Sequence, residues 1–263
     1  MSFEPFISFI GTGNVATHLA PALDNAGYVV KEVFSPNHKH AEALTDKLYQ
    51  AEVKVSLDFS NSPSRIFVLA VSDHAIEQVA QEIILPDQAL LVHTSGSIPM
   101  HDLSYAASTA SGVFYPLQSF SKNRKADFKG LPIFVEATDV DAEELLFEMG
   151  RSLGAKVQKM DSDQRAALHV AAVFASNFTN HILTMAGQLA EANNLSFEWL
   201  KPLIRETMDK ALALGPIVAQ TGPAKRGDLE ILDKHLEILQ DNEKAAEIYR
   251  LISQHIIDTH KPD

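Results

Sequence analysis

The chain has 263 residues, with 22 basic against 34 acidic side chains, 46% apolar residues and no cysteine. A net charge of −12 without a basic run opposes the phosphate neutralisation on which nucleic-acid affinity rests, so no nucleic-acid partner is expected. Without cysteine there is no disulfide framework, thiolate nucleophile or Cys-ligated zinc, and chemistry falls to other side chains or to a cofactor.

The first predicted strand, Phe6–Ile10, runs into Gly11-Thr12-Gly13-Asn14-Val15-Ala16 and then an amphipathic stretch, Thr17–Ala26. This is strand, Gly-x-Gly-x-x-Ala and helix in succession. Gly11 allows the tight turn, Gly13 removes the Cβ that would block a pyrophosphate, and Ala16 lets the helix sit close to the strand. The helix N-terminus then offers free N–H groups and partial positive charge to a diphosphate. The second strand, Tyr28–Phe34, ends in Ser35-Pro36-Asn37-His38-Lys39-His40. An NAD site places a carboxylate there, about 20 residues past the fingerprint, to bind the ribose 2′-hydroxyl. Here Ser35 and Asn37 offer hydrogen bonds, and Lys39, with His38 or His40, offers positive charge, which favours NADP(H) over NAD(H). Read without a ligand, the same residues form a polar turn into a helix over Ala41–Leu48. The histidines flanking Lys39 lack a third ligand at suitable spacing, and no metal is expected.

Ile66–Val71 is the longest apolar run, far short of the ~20 residues a bilayer requires, and the amino terminus carries no charged-then-apolar leader pattern. A cytoplasmic protein with no membrane partner is expected. That strand brings Ala70, Val71, Ser72 and His74 to the carboxyl edge of the sheet, and Ser72 or Asp73 is placed to cap the next helix. The strand Ala89–His93 brings Thr94 and Ser95 to the same edge, on the nicotinamide side of a dinucleotide. Strands at Gly112–Tyr115, Ile133–Glu136 and Lys156–Lys159 follow. Strands alternating with helices predict parallel pairing and a doubly wound α/β domain over residues 1–159.

No strand is predicted after Asp161. Asp163–Glu191 reads as one long helix, followed by helices at Phe197–Leu214, Leu229–Gln240 and Asn242–Thr259, giving an all-α domain over residues 160–263. Asn242 stands at the N-cap of the last. The long helix is apolar on most of its faces, which points to a homodimer through the C-terminal helices; burial within a single subunit is the alternative.

The fingerprint, the acid-free second strand end, Ile66–Asp73, His93-Thr94-Ser95-Gly96-Ser97, Tyr115-Pro116-Leu117-Gln118-Ser119-Phe120, His169–Asn177 and Gly222-Pro223-Ala224-Lys225-Arg226-Gly227-Asp228 together resemble a known group. It comprises the uncharacterised Rossmann-like NADP oxidoreductases with a C-terminal helical domain of unknown function. That group is similar to pyrroline-5-carboxylate reductases, F420-dependent NADP reductases and β-hydroxyacid dehydrogenases. The resemblance covers nearly the whole chain and implies a nucleotide domain followed by a helical dimerisation domain. β-Hydroxyacid dehydrogenases carry a catalytic Lys, with Asn four residues later, on the helix corresponding to Asp163–Glu191. This segment has no Lys, and its His169 lies in that region with a different spacing.

Hydride transfer to C=O or C=N puts negative charge on the heteroatom, so a proton donor and a polarising group must stand within hydrogen-bond reach. On an α-helical count His169, Ser176 and Asn177 fall on one stripe and supply a histidine, a hydroxyl and an amide. They are candidates to line a cleft or to be satisfied polar groups at a helix crossing. An unperturbed imidazole titrates near ~6.5, which motivates His169 as general acid. Ser95 is a further catalytic candidate. Arg226 is placed to fork onto a substrate carboxylate, to bond Asp228, or to hold the start of the next helix. The expected function is NADPH-dependent reduction of a small, anionic carbonyl or imine substrate, or the reverse oxidation. The alternative is a non-catalytic NADP(H)-binding regulatory protein.

Overall fold

A computed structural model describes residues 6–108 and 110–260. The chain divides into two compact units, Met1–Ser176 and Asn177–Asp263. The first is built on one eight-stranded sheet. Its strands are β1 (Phe6–Ile10), β2 (Val29–Phe34), β3 (Glu52–Lys54), β4 (Ile66–Leu69), β5 (Leu90–His93), β6 (Ala110–Pro116), β7 (Pro132–Ala137) and β8 (Lys156–Lys159). Their spatial order is β3-β2-β1-β4-β5-β6-β7-β8. The first six are parallel, and the order reverses between β1 and β4, where open α/β sheets place their ligands beyond the strand carboxyl ends.

Helices α1 (Asn14–Asn25), α2 (His38–Thr45), α3 (Asp73–Glu82) and α4 (Val140–Ser152) cover the sheet. Side chains alternate along each strand, so β4 feeds both faces. Ile66 and Val68 join a core with Leu19 and Leu23 of α1 and Leu146 and Met149 of α4. Phe67 and Leu69 join another with Ile76 and Ala80 of α3.

The structure departs from the expected all-parallel pairing at β7, which runs antiparallel to β6. A parallel return requires a crossover of a dozen or more residues, usually helical, whereas the connection 117–131 carries no helix and brings the chain straight back. The helices after β1 and β2 also begin earlier than expected, at Asn14 and His38. Helical backbone from 162 to 192 matches the expected long helix, but in three parts: α5 (Ser162–Ala172), a π-helical stretch Val173–Phe178, and α6 (Thr179–Ala192).

The second unit also contains α7 (Lys201–Leu214), α8 (Pro216–Ala219), α9 (Pro223–Arg226), α10 (Leu229–Ile238) and α11 (Glu243–His260). Asn242 accepts from Ala245 N at 3.1 Å at the start of α11, as expected of its N-cap. Its buried core is small: Leu239, Ala245 and Ala246, packed by Met185, Leu189, Leu236 and Tyr249. Among the described residues no helix is long and apolar enough to cross a membrane.

Candidate active site

A cleft of about 490 Å³ opens at the carboxyl ends of β1 and β4, lined by Gly11 to Val15, Ser35, Ala70 to Ser72 and Thr94 among others. Its two fingerprint glycines have different reasons to be there. Gly11 has φ +104°, and a Cβ on it would stand 2.4 Å from Ala70 O, so the fold itself forbids a side chain. A Cβ on Gly13 would meet only Ala70 O, at an ordinary 3.6 Å. Nothing in the chain requires glycine at 13, and the space in front of it is part of the cleft.

Gly13 is also the N-cap of α1, where no side chain caps the helix and no acid sits in the first turn. Uncapped first-turn amides and the helix dipole together suit a diphosphate. Gly13→Ala is therefore expected to melt within a few degrees of wild type yet bind NADPH at least about tenfold more weakly. Gly11→Ala is expected to lose stability outright, by more than about 1 kcal/mol. Thermal melts paired with calorimetric titration check both.

At the second strand end Ser35 Oγ accepts from Thr12 Oγ1 at 3.2 Å and from Asn37 N at 3.3 Å. With both acceptor sites used, its own proton is left to donate outward. Asn37 Oδ1 caps α2 by accepting from Lys39 N at 3.1 Å, which leaves its amide NH₂ as donor. His38 faces Glu42 at 3.2 Å, so any charge it carries is partly answered within α2. Lys39 is exposed and makes no ion pair among the described residues. Ser72 occupies the N-cap position of α3 without capping it, and its hydroxyl meets His74 Nε2 at 3.3 Å instead.

The turn after β5 repeats the serine pattern. Ser95 Oγ accepts from Ser97 N at 3.0 Å and Ile98 N at 3.1 Å, so this buried hydroxyl also keeps a proton to give. His93 Nδ1 accepts from Ser95 N at 3.2 Å. Burial, then the nearby Arg165 guanidinium, pushes the His93 imidazole down to about 3, and it stays neutral as a structural prop for this turn.

Gly96 then lies directly against His169: a Cβ on it would be 2.5 Å from His169 Nδ1 and 2.7 Å from Tyr115 Cζ. Those two side chains meet, Tyr115 Oη to His169 Nδ1, at 2.9 Å. His169 Nε2 has no partner among the described residues and is not buried. Burial pushes the Tyr115 phenol above its usual range; the Arg165 guanidinium opposes that rise and the Asp73 carboxylate adds to it.

Arg165, one turn before His169 on α5, fixes the helix beneath the site. It pairs with Glu136 of β7 and donates to Ile98 O at 2.7 Å and to Ser162 Oγ at 3.1 Å. Ser162 donates to Glu136 at 2.7 Å and accepts from Met100 N at 3.0 Å. Asp161 caps α5 at Gln164 N, at 2.8 Å.

The structure thus gathers Gly11, Thr12, Gly13, Asn14, Val15, Ser35, Ala70, Val71, Ser72 and Thr94 in one cleft, and leads through Ser95 and Gly96 to His169. Asn37 caps α2, and His38, Lys39 and His74 lie on the flanking helices; none of the four lines the cleft. Ser176 and Asn177 fall in the π-helical stretch Val173–Phe178. Arg226 is exposed at the end of α9, and Asp228 caps α10 at Ile231 N rather than pairing with it. Tyr115, Gly96, Glu136 and Arg165 were not among the sequence candidates. Only Tyr115 carried a legible signal, as a polar-tipped aromatic at the carboxyl end of a predicted strand.

Residues 6–95 match the family described as "NADP oxidoreductase coenzyme F420-dependent", and residues 131–256 match a domain of unknown function, DUF2520. A Bacteroides fragilis protein, whose crystal structure is described as that of a putative NADP oxidoreductase, is 38% identical over 97% of this chain and 98% of its own, with a TM-score of 0.88. A Thermotoga maritima protein shares the fold at 20% identity and TM-score 0.69, covering 97% of this chain and 98% of that one. A reductive aminase from Aspergillus terreus, solved with NADPH and ethyl-5-oxohexanoate, shares it at 14% identity and TM-score 0.70, covering 97% and 93%. No curated protein matches significantly. The chain belongs to the Rossmann-like NADP oxidoreductases that carry this C-terminal domain of unknown function, and by that membership it is an oxidoreductase.

Proposed function

We propose that this protein binds NADP(H) in the cleft around Gly13 and interconverts a small carbonyl or imine compound with its reduced form. The observation that carries this reading is the pairing of a ligand-shaped gap at Gly13 with a proton-bearing cluster that begins at Thr94, on the wall of the same cleft. The Aspergillus terreus reductive aminase, which shares the fold, was solved with NADPH and a ketone, in keeping with that chemistry.

The amides of the first turn of α1 hold the diphosphate, and Thr12 and the Ser35 proton face the adenosine side. Asn37 and Lys39, with His38, receive the 2′-phosphate, where a carboxylate would repel it. Ala70, Val71, Ser72, His74 and Thr94 line or flank the remainder. NADPH, when bound, supplies the hydride. The Ser95 hydroxyl donates to the substrate heteroatom, and His169 Nε2 holds the proton that this atom takes up. Arg226 is the candidate to pair with a carboxylate on the substrate, with Ser176 and Asn177 as further polar contacts.

The second unit exposes Phe178, Ile182, Trp199, Leu203, Leu212 and Ile217, a density of large apolar side chains that supports a homodimer through the C-terminal helices. Calorimetry with NADPH and NADH, followed by absorbance assays on 2-oxoacids and cyclic imines, tests the reading. NADPH binding tighter than NADH by about tenfold or more is expected, with oxidation of NADPH by at least one substrate class. No heat with NADPH at millimolar concentration sinks it. Sedimentation of the same preparation should return twice the chain mass.

A further inference from the structure

The bond between Tyr115 and His169 joins residues 54 positions apart, and no step above uses it. We propose that Tyr115 is a positioning residue that assigns the transferable proton of His169 to Nε2, with Gly96 as the bare backbone surface that keeps the two rings in register. This rests on His169 being the proton donor.

Both nitrogens of an imidazolium are donors, so when His169 is charged its Nδ1–H needs an acceptor. The phenol oxygen of Tyr115 stands there at 2.9 Å. When Nε2 gives its proton to the substrate heteroatom, the electron pair of the N–H bond stays on the ring. The neutral ring keeps its Nδ1–H and the same hydrogen bond. No ring flip or change of tautomer is then needed between the two states, and solvent returns the proton at Nε2.

The phenol is well suited to this passive part. Burial raises it above its usual range, so it remains a neutral O–H through the working pH range. Its ring is held by Phe134, at 6.4 Å between centroids, and meets the imidazole edge-on at 5.9 Å and 67°. The charged groups acting on the phenol are Asp73 at the start of α3 and Arg165 on α5; His93 beneath the turn is neutral. Gly96 completes the arrangement, because any side chain there would occupy the place of the two rings.

The test is Tyr115→Phe, which keeps the ring and removes the oxygen, read first by ¹⁵N NMR of histidine-labelled protein without cofactor. In wild type the neutral His169 ring should carry its proton on Nδ1. In the variant it should shift toward the Nε2–H form, having lost the acceptor at Nδ1. With NADPH and substrate, kcat should fall about 10- to 100-fold while KM for NADPH stays unchanged. Gly96→Ala, which displaces the rings and deletes neither, should change the tautomer balance in the same direction. An unchanged His169 tautomer in Tyr115→Phe overturns the proposal. Full activity of His169→Gln overturns the proton-donor reading beneath it instead, and the NMR result separates the two failures.

Discussion

His169→Gln is expected to lower kcat by about 10²- to 10⁴-fold, the usual contribution of a positioned general acid, while leaving NADPH affinity within a factor of about two. Glutamine can still donate a hydrogen bond from its amide, but it has no proton to release near neutral pH. His169 sits against Gly96 and Tyr115 and does not line the cleft at Gly13, so binding and rate should separate. Stopped-flow measurement of NADPH oxidation in a single turnover checks this without interference from product release. The solvent isotope effect on that step should also change, since the proton would then come from water. A wild-type single-turnover rate in His169→Gln would remove His169 from the chemistry and leave Ser95, the other group at this turn with a proton to give.

Where chemistry is local in sequence, it was readable. The glycine spacing after a short apolar strand located the turn that opens the cleft, because such a strand–turn–helix unit is built from consecutive residues whose conformational needs show in their identities. Ser35 of the acid-free turn likewise lines that cleft. The His169 cluster was only half legible. Histidine on an apolar helix drew attention, but its partner lies 54 residues away on β6, and no local pattern reports a contact made by packing. The π-helical stretch Val173–Phe178, which holds Ser176 and Asn177, has no local signature in the sequence, since a π-helical turn is a single-turn departure inside an otherwise α-helical run. β7 runs antiparallel because the preceding connection carries no helix. Its residues alone, β-branched and apolar, suit either direction. Arg165 was hidden most completely. It reads as one charge on a helix surface, yet it is 1% exposed and holds that helix to β7 and to the turn that carries Ser95.

That burial makes Arg165 the residue whose loss should cost most in stability. Arg165→Met removes the guanidinium and leaves the Glu136 carboxylate, only 17% exposed, with Ser162 as its remaining partner. Breaking a buried pair from one side typically costs 3–5 kcal/mol; the residual exposure of Glu136 places this case at about 3 kcal/mol, measured as the shift in urea midpoint. The double variant Arg165→Met with Glu136→Leu should recover much of that, because the penalty comes from the stranded charge. It should not recover the full rate, since Ile98 O stays without its Arg165 donor and His169 loses that fixed support. A pH signature separates this from general loosening. Folded His93 titrates at about 3, held down by burial and then by Arg165, whereas in the unfolded chain histidine titrates near ~6.5. Between those values the unfolded state binds more protons, so stability falls as pH drops from about 6.5 toward 3. Arg165→Met removes the second cause and keeps the first. The decline in its unfolding free energy should therefore stop at a higher pH than in wild type, so that the total loss on acidification is smaller, and an unchanged lower end of that pH window would mean that Arg165 does not act on His93.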